Sequence, residues 1–81
     1  MTKNQKRFAD YIQAAFSDKE VIVMIGVKRL AIVDSLEIGI QPKGKRIKQF
    51  DMIVPKSEGD YPEAVKGLVD RINKVYKENV V

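Results

Sequence analysis

The chain is predicted to be a two-layer α+β domain, a three-stranded antiparallel meander sheet with an N-terminal and a C-terminal helix in the order αβββα. Three observations predict it. Apolar residues recur at helical spacing near both ends of the chain, and between them lies a stretch rich in β-branched residues with two-residue alternation. Within that stretch "QPKGK", residues 41–45, has the composition of a hairpin turn. With 81 residues the chain makes one compact domain, 1–81, because so short a sequence buries only a little over ~60% of its unfolded surface and has no material for a second core.

The first helix opens in "MTKNQKRFADYIQAAF". Thr2 with Gln5 three residues on is a capping-box pattern, and Phe8, Tyr11, Ile12, Ala15 and Phe16 form one apolar stripe. "SDKE" then breaks the helix. Residues 21–27, "VIVMIGV", are apolar on both parities, which is the pattern of a strand covered on both faces. From residue 30 onward Leu30, Ile32, Leu36, Ile38 and Ile40 share a parity, with Asp34 interrupting it. This reads either as one strand bent or bulged at Asp34–Ser35 or as two short strands split there. The connection before it, "GVKR", carries no Asn-Gly signal.

In the next turn Pro42 is expected at the first turn position and Gly44 at a left-handed one. Phe50, Met52 and Val54 then face inward until Pro55 ends the strand. The last helix lies in "DYPEAVKGLVDRINKVYKEN", with Asp60 expected to cap it and Pro62 in its first turn. Its stripe is Val65, Leu68, Val69, Ile72, Val75 and Tyr76. If both helices cover one face, Ile22, Met24, Ala31, Val33, Ile47 and Ile53 remain on the other as a face for a second copy or a partner. If one helix crosses over, that patch vanishes.

Composition narrows the chemistry. Absence of cysteine removes disulfides and thiolate metal sites, and absence of histidine removes the commonest general base and zinc ligand. The longest apolar run is far shorter than the ~20 residues of a membrane span, and the N-terminus has no apolar signal core, so a cytoplasmic protein is expected. "GIQPKGKR", residues 39–46, satisfies Gly-x-x-x-x-Gly-Lys, but a phosphate-cradling loop needs Ser or Thr next and a helix behind it. Here Arg46 follows and a strand pattern continues, so a hairpin turn is the expectation. Asp34, Glu37 and Asp51 are the carboxylates left for acid–base work, and Asp34 beside Ser35 reads more simply as a turn or bulge bonding its own backbone. No catalytic residue, no metal site and no cofactor is expected.

What remains is charge. Lys43, Lys45, Arg46 and Lys48 cluster at one hairpin, and Lys28 and Arg29 lie near the other, within a net charge of +4. The two turns of a three-stranded meander point to opposite ends, so these make two patches unless twist or dimerisation joins them. The order of elements is similar to that of the double-stranded RNA-binding domain, over most of the chain. That family presents lysines at the start of its second helix, where this chain has Glu58, Asp60 and Glu63, so no membership is claimed and no residue role is carried over. The leading expectation is a non-enzymatic domain that grips a nucleic-acid backbone, DNA or RNA, through Lys43, Lys45, Arg46 and Lys48, supported by Lys28 and Arg29. The alternative is a protein-binding regulatory or inhibitor module, or a homodimer, acting through the sheet face (Ile22, Met24, Val33, Ile47, Ile53) or edge.

Overall fold

A computed structural model describes residues 1–30 and 32–81, giving only the backbone of Arg29 and Leu30. Helix α1 spans Lys3–Phe16, strands β1, β2 and β3 span Val21–Leu30, Val33–Pro42 and Lys48–Ile53, and α2 spans Tyr61–Tyr76 after a single 3₁₀ turn at Glu58–Asp60. The strands form one antiparallel sheet in the order β1-β2-β3, so β2 is central and β1 and β3 are edges. This is the αβββα two-layer domain that the sequence predicts.

Both helices lie on one face. Leu36, Ile38 and Ile40 of β2 and Phe50 of β3 meet Phe8, Ala9, Ile12 and Phe16 of α1 and Tyr61, Val65, Leu68 and Ile72 of α2 in one continuous core. The alternation of β2 follows from this: even-numbered residues from 36 on are buried under the helices, while odd-numbered ones look outward. Burying these apolar side chains, thirteen among the described residues, is what holds so small a domain together.

The helix ends are fixed by specific contacts. Thr2 Oγ1 accepts from the Gln5 amide at 3.1 Å, and Gln5 Oε1 accepts from the Thr2 amide at 2.7 Å, completing the predicted capping box. The Gln5 side chain is itself buried and donates to the Ser35 carbonyl at 3.1 Å, tying α1 to β2. At the far end α2 stops at Lys77, which takes a left-handed φ of 59°. Its amide bonds Lys74 O and the Glu78 amide bonds Asn73 O, the paired bonds of a Schellman stop.

Three expectations change. Strand β1 continues through "GVKR" to residue 30, and β2 begins at Val33, so the connection is the two residues Ala31 and Ile32, of which Ala31 lies outside the described residues. The Asp34–Ser35 bulge is replaced by a continuous register, Arg29 opposite Asp34 and Lys28 opposite Ser35. There Asp34 accepts from Thr2 Oγ1 at 3.0 Å and Ser35 Oγ donates to Lys28 O at 2.7 Å, so both polar side chains bond other segments and the strand runs straight on. Asp60 has helical backbone angles and makes no capping bond, because the 3₁₀ turn leads directly into α2. The β2–β3 turn is as expected: Pro42, the last residue of β2, starts a turn that closes with Lys45 N–H donating to Pro42 O at 3.0 Å, and Gly44 takes a left-handed φ of 75° in the third position.

Strand β1 departs from its sequence pattern. Apolar on both parities, it is an edge strand with only one face under the helices: Val21, Val23 and Ile25 pack on the core, whereas Ile22 is 58% and Met24 51% exposed. Val75, expected in the α2 stripe, is exposed as well.

Candidate nucleic-acid interface

The β2–β3 turn is positioned by α2. Tyr76, in the last turn of that helix, directs its hydroxyl at two carbonyls of the hairpin, Arg46 O at 2.6 Å and Ile40 O at 2.9 Å. Burial is the main cause that pushes the Tyr76 phenol above its ordinary pKa, so it stays a neutral donor. The ring carries Lys48 Nζ at 5.0 Å from its centroid, a cation–π contact at the inner rim of the sheet. Lys45 pairs with Glu78 just past the α2 stop, and Lys43 pairs with Glu20 at 3.3 Å across the β1–β2 ladder. Arg46 is exposed at the tip.

The predicted quartet therefore encircles the end of the sheet: Lys43 beside Glu20, Lys45 and Arg46 at the tip, and Lys48 turned toward α2. Two further cations join them that sequence reasoning did not single out, Lys19 from the α1–β1 turn and Lys77 from the α2 stop. Only the tertiary fold brings the ends of α1 and α2 to this turn; the one local hint was the pair Lys74 and Lys77 at the end of α2, Lys19 standing alone between two carboxylates. Six cations face three carboxylates here, Asp18, Glu20 and Glu78. The Lys43–Glu20 pair is exposed on both sides, and such pairs contribute about 0–1 kcal/mol, so it can yield to a phosphate oxygen at little cost.

Lys28 and Arg29 are not part of this cluster. They sit at the opposite end of β1, and the Arg29 side chain lies outside the described residues. Lys28 Nζ bonds Asp51 Oδ2 at 2.7 Å across the outer face, and that bond, with the charges of Asp51 and Glu37, raises its pKa above the ordinary lysine value. Glu37 and Asp51 are ladder neighbours of like charge, and the ammonium lies close to both. The third carboxylate, Asp34, is held by Thr2 on the other side of the β1–β2 turn. The "GKR" segment forms a turn followed by a strand, so no helix N-terminus faces it.

On the outer face, Ile22, Met24, Ile47 and Ile53 are exposed as predicted, Ile53 at 61%, whereas Val33 is half-buried near the β1–β2 connection. Ile47 and Met24 close over Gly39, whose absent side chain leaves them space: a Cβ there would lie 3.2 Å from Ile47 Cδ1 and 3.6 Å from Met24 Cε. Ile53 stands apart at the other end, beyond the Lys28–Asp51 pair. Among the described residues no helix is long and apolar enough to cross a membrane.

No protein-family model, no curated protein and no solved structure matches the chain.

Proposed function

We propose that the protein is a non-enzymatic domain that binds the phosphate backbone of a nucleic acid through the sheet end formed by the β2–β3 turn. The observation that carries this reading is the convergence of Lys19, Lys43, Lys45, Arg46, Lys48 and Lys77 from three separate elements on one end, where carboxylates are outnumbered. Phosphate recognition needs cations on a fixed support more than it needs a cleft, and Tyr76 supplies the support by bonding the hairpin backbone to α2. Among the described residues no aromatic ring stands free at this end for base stacking, Tyr76 being covered by Lys48, which favours backbone over base recognition.

The test is a fluorescence-anisotropy titration with labelled duplex DNA, single-stranded DNA and duplex RNA across a salt series. Binding whose logarithmic salt dependence on duplex DNA has a slope of about −3 to −4, and which is lost when Lys43, Lys45, Arg46 and Lys48 are replaced by Ser, supports the reading. Flat titrations at low salt refute it. A second reading, a protein-binding module, is favoured by one observation, the exposed Ile22, Met24 and Ile47 on the uncovered face. It predicts that the quadruple Ser variant keeps its partner.

A further inference from the structure

The two edges of the sheet are finished differently. In β3, Val54 N–H donates to Asp34 O at 2.9 Å, which places Asp34 opposite residue 54 in a hydrogen-bonded pair and turns the backbone groups of odd-numbered β3 residues to the free edge. That edge is blocked: Arg71 of α2 donates to the Asp51 carbonyl at 3.3 Å, and the strand carries Lys48 and Asp51. In β1, Lys43 N–H donates to Glu20 O at 3.1 Å, so the ladder reaches one residue beyond the strand and even-numbered residues face β2. The N–H and C=O groups of Val21, Val23, Ile25 and Val27 therefore point to the free edge. This edge has no such guard. It is seven residues long without a charge or a proline, and no residue of either helix bonds it among the described residues.

We propose that the β1 edge pairs antiparallel with the β1 edge of a second copy of this chain, about a two-fold axis at Met24, to give a continuous six-stranded sheet. The occupant is read from self-complementarity. In this register Glu20 lies opposite the partner's Lys28, and Lys28 opposite the partner's Glu20, one ion pair at each end of the apolar run. All four charges are on the outer face: Glu20 shows it by pairing with Lys43 across the ladder, Lys28 by reaching Asp51. Ile22 falls opposite the partner's Gly26, where a Cβ would meet nothing closer than Glu37 O at 4.0 Å, so the bulky side chain has an open position to fill. Met24 meets Met24. Val21, Val23, Ile25 and Val27 pair among themselves as hydrogen-bonded pairs, on the order of eight backbone bonds in all. A shift by two residues in either direction loses both ion pairs and sets Ile22 against Lys28 or Met24. The pairing also gives the outward-facing Ile22 and Met24 cross-strand neighbours that they lack at this edge in the monomer. It does not depend on the phosphate-binding reading.

Sedimentation equilibrium of the full chain tests this. The expected result is a reversible dimer of twice 9.2 kDa, with a dissociation constant of roughly micromolar order, as suits an interface of modest area. Met24 is half exposed in the monomer, so Met24→Lys and Met24→Glu leave the fold intact, and circular dichroism checks this. Because residue 24 meets only itself, each variant alone is expected to dimerise at least about tenfold more weakly, and an equimolar mixture of the two to recover. The chain has no cysteine, so an introduced thiol can bond only another molecule. Met24→Cys is expected to oxidise to a covalent dimer, its Cα separation of ~4.5 Å across the axis lying within disulfide range, and Ile53→Cys is not. A wild-type chain that stays monomeric, a dimer indifferent to charge at position 24, or Ile53→Cys cross-linking as fast as Met24→Cys overturns the proposal.

Discussion

Tyr76→Phe removes one oxygen and leaves the ring beneath Lys48, so it isolates the bond between α2 and the basic turn. The hydroxyl has one proton to share between Arg46 O at 2.6 Å and Ile40 O at 2.9 Å. Ile40 lies in the β2–β3 ladder opposite Lys48, where its carbonyl has a backbone partner, so the loss falls mainly on Arg46 O. That residue is exposed, and water can take the place of the phenol. The cost is therefore that of a net hydrogen bond, about 1 kcal/mol, without the larger penalty of a buried orphan. For a domain of this size about 1 kcal/mol lowers Tm by roughly 4–8 °C. Thermal unfolding followed by far-ultraviolet circular dichroism gives the first number, and amide exchange in the turn gives the second: protection at residues 43–48 is expected to fall more than protection in α1. An unchanged Tm, or a loss of protection spread evenly over the sheet, would refute the assignment of Tyr76 as the support of the turn.

Backbone conformation gives a matched pair of predictions. Gly44→Ala puts a side chain at φ +75° with nothing nearby to contact and is expected to cost about 1 kcal/mol, while Lys77→Gly relieves the same conformation at φ 59° and is expected to gain about as much, both read from urea midpoints. Gln5→Ala removes the capping-box partner of Thr2 and the side-chain donor to Ser35 O, which keeps its ladder bond from Lys28, for an expected loss of about 1 kcal/mol in the same assay. Glu58 holds Arg7 Nη1 at 2.6 Å and accepts from the Tyr11 hydroxyl at 3.1 Å, and those bonds keep its carboxyl below the ordinary value of 4.5. A depressed folded pKa means its contribution is present above the unfolded pKa and is lost as pH falls through the folded one, so Glu58→Gln is expected to flatten the fall in Tm below pH 4.5 and a parallel pH profile would count against the pairing.

The sequence made the layers legible because periodicity responds to burial. Phe8, Ile12 and Phe16 repeat at helical spacing, and Leu36, Ile38 and Ile40 alternate, since each set touches the same core. The β1–β2 connection was less legible. "GVKR" carries no turn residue, and neither do the residues that connect the strands, Ala31 and Ile32. Asp34 and Ser35 imitate a turn locally, while their actual partners, Thr2 and Lys28 O, come from elsewhere in the fold. The same distance in sequence hid Lys19, Lys77, Glu20 and Glu78 from the candidate site, because the α1–β1 turn and the α2 stop become neighbours of the β2–β3 turn only after the helices dock. Lys43, Lys45, Arg46 and Lys48 were legible because one turn brings them together unaided.

Whether the proposed pairing of β1 edges changes the basic end can be worked out from the register alone. Antiparallel pairing sets the N-terminal end of one β1 against the C-terminal end of the other, so the partner's Lys28 arrives beside Glu20, which already holds Lys43 at 3.3 Å. One carboxylate then faces two ammonium groups. Either Lys28 leaves Asp51 for Glu20, which frees Lys43, or it stays and adds its charge to the outer side of that end; in both cases the end becomes more positive than in the monomer. The two clusters that a single meander holds apart thus come together in trans. Polyanion binding should then strengthen with self-association, and Met24→Lys, which adds a cation near this face, should nevertheless weaken it. A variant of higher charge and lower affinity has no explanation in net charge, so the outcome separates a dimeric grip from simple attraction to a basic domain. If Met24→Lys binds more tightly than the wild type, the phosphate site belongs to the monomer.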